Sequence, residues 1–155
     1  ISGYVALLFG RSRTTEDVDL FIEKIDLPTS KMMYVDLLNH GFWALNASSG
    51  EDMYDALAKE HIAIRFAKDG RSIPNIELKF VKDALDMSAL QDRIKVITPG
   101  GELWISAIEM QIAYKRFVLQ SEKDLEDARH LQRLFDVSEE NINKYKQILK
   151  EYGRC

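Results

Sequence analysis

Cysteine is almost missing from this chain of 155 residues; the single one, Cys155, is the last residue. A disulfide framework or a cysteine-built zinc site within the chain is therefore excluded, and a reducing, cytoplasmic setting is the default expectation. Long hydrophobic runs are missing too. None approaches the roughly 20 residues that span a bilayer, so no membrane partner is expected, and no signal peptide is visible. There is no excess of positive charge: the net charge is -4, which argues against a broad polyanion-binding surface and leaves only local contact with a nucleic acid. Internal repeats and low-complexity segments are also absent. The three histidines, His40, His61 and His130, lie apart with no serine or cysteine at a catalytic spacing, and are read as non-catalytic. The sequence opens at Ile1, without methionine and almost on top of a motif, so residues preceding it are expected to be missing.

What is present is ordinary for a globular protein with a real core: 46% hydrophobic and 30% charged residues. The length fits one domain, or a small domain with an appended helical piece. Residues 4–9 form a short apolar run that periodicity cannot assign to helix or strand. Residues 17–23 read as a strand. Pro28-Thr29-Ser30 signals a helix start, and His40-Gly41 closes that helix. A short strand is expected over 42–45 and a helix over 51–60. Ile62, Ile64 and Phe66, then Ile76, Leu78 and Phe80, alternate with other residues around the Lys68-Asp69-Gly70 turn, which predicts a hairpin with one buried face. A helix over 83–92 and short strands at 95–97 and 102–105 follow. From Ser106 onward no strand signal remains. Three amphipathic stripes start at Ile105, Leu125 and Ile142, the second including Leu131 and Leu134, the third Tyr145, Leu149 and Tyr152. The chain thus reads as a mixed α/β part, 1–105, followed by a helical segment, 106–155. Trp43 and Trp104 are expected in the core.

The most informative stretch is Gly10-Arg11-Ser12-Arg13-Thr14-Thr15-Glu16-Asp17-Val18-Asp19-Leu20. Alternation along a strand puts Asp17 and Asp19 on one face and Val18, Leu20 and Ile22 on the other. Two carboxylates on one face repel, and a hard divalent cation with oxygen ligands relieves the repulsion. Arg11, Arg13, Thr14 and Thr15 just before them offer donors suited to phosphate oxygens. Glu77 lies on the strand Ile76-Glu77-Leu78, whose other face is apolar. If that strand lies beside Asp17-Asp19, Glu77 becomes a third carboxylate on the same face. The plain alternative is an edge strand with surface acids, Glu77 pairing with Lys79 or Arg65.

Ser2-Gly3, followed by Phe9-Gly10-Arg11-x-Arg13-x-Thr15-x-Asp17-Val18-Asp19-Leu20, resembles the signature of the DNA polymerase β-type nucleotidyltransferase superfamily. The likeness is to its small prokaryotic branch of abortive-infection toxins and minimal nucleotidyltransferases. Ser106-Ala107-Ile108-Glu109, Lys115 and Lys123-Asp124-Leu125-Glu126-Asp127 resemble that branch's helical elements. The resemblance implies an α+β fold: a nucleotidyltransferase-like mixed β-sheet flanked by helices, then a C-terminal helical segment packed on it. It implies Mg²⁺ or Mn²⁺ on Asp17, Asp19 and Glu77 as the catalytic and metal-binding set. Ser2, Gly3, Arg13 and Lys115 would bind the nucleotide and its phosphates, with bracing of the loop as the alternative for Arg13. Asp124 and Asp127 would organise the helices; they flank the stripe Leu125, Ala128 and Leu131, and are read as structural, capping or pairing with arginines. The implied reaction transfers a nucleoside monophosphate from a nucleoside triphosphate to a hydroxyl of RNA, protein or a small molecule. The alternative is a module of the same fold without turnover, binding a nucleotide or a partner in a toxin–antitoxin or regulatory complex. The order Ser2-Gly3 departs from the usual Gly-Gly or Gly-Ser. Lys79, two residues after Glu77 on the same face, is placed to compete with a metal ion.

Overall fold

The computed structural model describes residues 3–155. The fold is mixed α/β: among these residues there are seven α-helices, a four-stranded sheet and a two-stranded sheet. The chain divides into two compact units, one of Thr15–Lys82 and one of the described residues up to Thr14 together with Asp83–Cys155. The division does not fall at residue 105, where the strand signals end.

The Thr15–Lys82 unit contains strand β1 (Asp17–Ile22), helix α2 (Leu27–Asn39), strand β2 (Phe42–Ala44), helix α3 (Gly50–Asp55) with a π-helical turn (Ala56–Glu60), and strands β3 (Ile64–Lys68) and β4 (Asn75–Phe80). Helix α1 (Gly3–Leu8), in the other unit, resolves the ambiguous run at 4–9 as helix. The sheet order is β1-β4-β3-β2. Strand β1 runs parallel to β4, and the other two pairings are antiparallel, including the expected hairpin. The apolar face explains the assembly. Ile64, Phe66, Leu78 and Phe80 are buried with Met53 and Leu57 from α3 and its π-helical turn, and Ile22, Tyr34 and Leu37 pack against them. Each large side chain buried in this way contributes about 1.5–3 kcal/mol. The apolar face of β1 is only partly covered. Ile22 joins the core, whereas Leu20, on the edge strand, is exposed.

Helix α2 starts at Leu27, one residue before the Pro28-Thr29-Ser30 signal. Asp26 is the N-cap, its carboxylate accepting from the Thr29 amide at 2.9 Å, with Pro28 in the first turn. The contact between α2 and α3 requires glycine at position 50: a Cβ there would lie 2.5 Å from the Lys31 Cα. The buried Ser30 hydroxyl donates to the Gly50 carbonyl at 3.0 Å across the same contact.

The other unit holds α1, helix α4 (Ala84–Gln91), the hairpin of strands β5 (Ile94–Thr98) and β6 (Gly101–Ile105), helix α5 (Ile108–Tyr114) with its π-helical turn (Lys115–Leu119), and helices α6 (Glu122–Leu134) and α7 (Glu139–Glu151). Serine caps α6 and α7: Ser121 accepts from the Asp124 amide and Ser138 from the Asn141 amide. Ile112, Ala128, Leu131, Ile142 and Leu149 form the centre of the core, joined by Val5, Leu85, Ala89 and Ile105. Leu134 and Tyr152, expected on the buried stripes, are exposed at the ends of their helices. The two tryptophans are a clearer correction. Trp43 is 40% exposed and donates its indole N–H to the Arg71 carbonyl at 2.9 Å. Trp104 is 55% exposed, with Arg93 and Lys95 over its ring. Trp43 sits on edge strand β2 and Trp104 on the β5–β6 hairpin, each on the face opposite the packed one, so alternation turns them outward. No helix among the described residues is long and apolar enough to cross a membrane.

Candidate functional site

The polar face of the four-stranded sheet is set by register. Asp17 pairs with Asn75, Asp19 with Glu77 and Phe21 with Lys79 along the parallel β1·β4 ladder, and Arg65 of β3 pairs with Glu77 from the other side. Alternation therefore places Asp17, Asp19, Asn75, Glu77, Lys79 and Arg65 on the face opposite the core. The third acid lies on the strand next to Asp17-Asp19, in register with Asp19.

Lys79 occupies the space between two of the acids. Its ammonium lies 2.5 Å from Asp19 Oδ1 and 3.0 Å from Glu77 Oε2. The Arg65 Nε donates to Glu77 Oε1 at 2.8 Å, so both Glu77 oxygens have a cationic partner. The titration of the pair reflects this. Burial would raise the Glu77 pKa, but Lys79 and Arg65 outweigh it and hold the carboxyl below its ordinary value. Burial would lower the Lys79 pKa, but Asp19 and Glu77 outweigh it and raise it. Asp17 stands two residues back on the same face, within 3.4 Å of the Thr15 hydroxyl.

The donor set can be tested against the divalent cation that the resemblance implies. It consists of hard oxygen ligands, the kind Mg²⁺ and Mn²⁺ take. Asp19 and Glu77 already converge on one cation, the Lys79 ammonium. Asn75 Oδ1, beside Asp17 in the register, is buried without a hydrogen-bond partner, which leaves an oxygen acceptor on the same face. The residues thus fit a divalent ion in kind and in pairing, with Lys79 in the way. Among the described residues no set of three or more His, Cys, Asp or Glu side chains is already gathered into a metal-holding group.

The remaining sequence candidates belong to the other unit, apart from Ser2, which lies outside the described residues. Lys115, expected near the nucleotide, is 1% exposed. Its ammonium donates to Asp124 Oδ1 at 3.1 Å and Asp127 Oδ2 at 2.9 Å. It opens the π-helical turn after α5, where the Gln120 N–H donates back to the Lys115 carbonyl at 3.0 Å and Gln120 itself is left-handed (φ 58°). Asp127 is fully buried and also receives Arg11 and Arg13, and Arg11 reaches Glu126 as well. Asp124 lies below its ordinary pKa: burial would raise it, but the Ser121 hydroxyl, Lys115 and Arg13 outweigh that effect. Arg13 is thus committed to Asp127, and its guanidinium fills the space beside Gly3, where a Cβ would come within 2.8 Å of it. The cluster holds α1, the π-helical turn and α6 together through charges removed from water.

The structural role read for Asp124 and Asp127, capping or pairing with arginines, agrees with Arg11 and Arg13 on Asp127, but sequence reasoning did not foresee the burial of Lys115 or name Arg11 as a partner. A signal existed. Asp127 precedes Leu131 by four residues, which puts a carboxylate on the apolar face of α6, and such a group needs cations from elsewhere in the chain. The histidines take structural places: His130 Nε2 lies 2.9 Å from the Phe9 carbonyl, and His61 closes the first π-helical turn in the left-handed conformation. No protein-family model matches the chain, and no curated protein matches it.

Proposed function

We propose that the chain is a divalent-cation-dependent nucleotidyltransferase, moving a nucleoside monophosphate from a nucleoside triphosphate to an acceptor hydroxyl with release of pyrophosphate. The observation that carries this reading is the register of Asp19 against Glu77 on parallel neighbouring strands, with Asp17 on the same face. The acids are held by backbone ladders and not by loops, so their spacing is fixed before any ligand arrives. Mg²⁺ or Mn²⁺ held by Asp17, Asp19 and Glu77 would supply charge neutralisation at the phosphates and a lowered acceptor pKa. The chain's own part is to hold the ligand oxygens in place and to present Arg65, on the same face, as a planar donor for phosphate oxygens. The single cysteine fits a reducing, cytoplasmic setting.

One observation favours a second reading, a nucleotide- or partner-binding module without turnover, as in a toxin–antitoxin or regulatory complex. Both Glu77 oxygens and one Asp19 oxygen are already neutralised by the chain's own cations. A labelling experiment separates the two. The protein is incubated with α-labelled nucleoside triphosphates, Mg²⁺ or Mn²⁺, and total cellular RNA or protein, beside Asp19→Asn and Glu77→Gln. Label transferred by the wild type and lost in both variants supports the enzyme. No transfer with either ion, while the nucleotide still binds, supports the module.

A further inference from the structure

Lys79 has no role in the proposed reaction, yet it occupies the centre of the proposed cation site. Its ammonium lies within ion-pair distance of Asp19 and Glu77 at once. Its side chain is 34% exposed, so solvent reaches it. Lysine carries a point charge on a flexible four-carbon stem, unlike the planar fork of arginine. Such a group can leave a carboxylate pair without moving the strand that bears it. Arg65 remains on Glu77 Oε1 from the far side, so the departure of Lys79 does not strip the pair of all positive charge.

We infer that Lys79 is a built-in counter-cation: in the metal-free chain it neutralises Asp19 and Glu77, and a divalent ion enters this face only by displacing its ammonium. The inference rests on the nucleotidyltransferase reading, since it takes the carboxylates to be the metal ligands. Lys79 thus takes a positioning role: it offsets the repulsion between the two carboxylates in the resting protein and sets the threshold of divalent ion needed to occupy the face. The exchange is one of charges in place. The ammonium moves to solvent and no bond is made or broken in the chain.

Calorimetric titration with Mn²⁺ alone, without nucleotide, tests this on wild type, Lys79→Met and Lys79→Met/Asp19→Asn. With the competitor removed, Mn²⁺ should bind Lys79→Met about tenfold more tightly, the scale of a partly exposed ion pair, and the double variant should lose that gain. Circular dichroism checks that each variant is folded. A second measurement needs no variant: acylation of lysines in the wild type, read by mass spectrometry, should speed up at Lys79 as Mn²⁺ is added. Equal Mn²⁺ affinity for wild type and Lys79→Met, or Lys79 labelling unchanged when Mn²⁺ is bound, overturns the inference but leaves the metal reading standing. Failure of Mn²⁺ to bind either folded protein overturns both. Should Lys79→Met not fold, the labelling of the wild type decides.

Discussion

The Lys115 cluster and the Lys79 cluster are made of the same parts at different depths. Each has a lysine ammonium between two carboxylates and arginine on at least one of them: Asp124 and Asp127 with Arg11 and Arg13 in one, Asp19 and Glu77 with Arg65 in the other. In the first, Lys115 and Asp127 are closed off from water. Taking such ions out of water costs several kcal/mol each, so every partner is needed and loss of one leaves an uncompensated buried charge. In the second, Lys79 and Arg65 are in reach of solvent, and water can take over from a partner that leaves. Identical chemistry therefore gives a fixed anchor at one place and, on the proposed reading, an exchangeable site at the other. Depth, more than residue type, separates structure from candidate function in this molecule.

The largest expected effect tests the anchor. Asp127→Ala removes the one carboxylate shared by Lys115, Arg11 and Arg13, and should destabilise the protein by about 3–5 kcal/mol in urea unfolding. A loss under about 1 kcal/mol would remove the distinction between the clusters. In the other cluster the milder, near-isosteric change Glu77→Gln should cost about 1 kcal/mol or less, because its partners are partly solvated and the amide keeps a hydrogen-bond acceptor. Its effect should fall on divalent-ion binding instead. Equal destabilisation by the two substitutions would show that the sheet face is as rigidly built as the helical anchor.

How much of this could be read from the residues follows the same division. The two-faced strands were legible because alternation is local: Val18, Ile22, Ile76 and Phe80 mark one side, and Asp17, Asp19 and Glu77 the other. The neighbourhood of Asp19 and Glu77 was legible only as a condition, since 58 residues separate them and pattern does not fix strand order. Lys79 and Arg65 are legible as rivals for Glu77 because spacing puts them on the outward face of their strands. The Lys115 cluster was far less legible. Arg11 and Asp127 are 116 positions apart, and nothing local in either segment names the other. The tryptophans failed for a related reason. Composition favours burial of so large a ring, but Trp43 and Trp104 fall on the outward parity of short strands, and parity prevails.

Acid sharpens the comparison further. The Asp124 carboxylate, whose pKa is held below its ordinary 3.8, accepts from the Ser121 hydroxyl and from Lys115. A carboxylate with a depressed folded-state pKa contributes stability that is complete above its unfolded value and is lost as pH falls through the folded one. Urea midpoints should therefore be level near neutrality and decline below about pH 4. In Asp124→Asn the midpoint should be lower at pH 7 and its decline in acid shallower. Parallel pH curves for wild type and variant would mean that Asp124 gives the anchor no charge-dependent support.

The smallest expected effect lies inside the anchor itself. Arg11 reaches two neighbouring acids, Glu126 and Asp127, whose side chains are 55% and 0% exposed. Chain position and charge are nearly the same, but Asp127 is buried and also holds Arg13 and Lys115, so depth and the number of partners set the two acids apart. Glu126→Gln should cost no more than about 1 kcal/mol, since water solvates Arg11 on that side and Asp127 still holds it. The loss should shrink toward zero at 1 M salt, where the screening length is only about 3 Å, whereas the loss in Asp127→Ala should persist there. A salt-insensitive loss in Glu126→Gln would mean that this acid also acts from within the interior, and that exposure is not what separates an exchangeable ion pair from an anchor here.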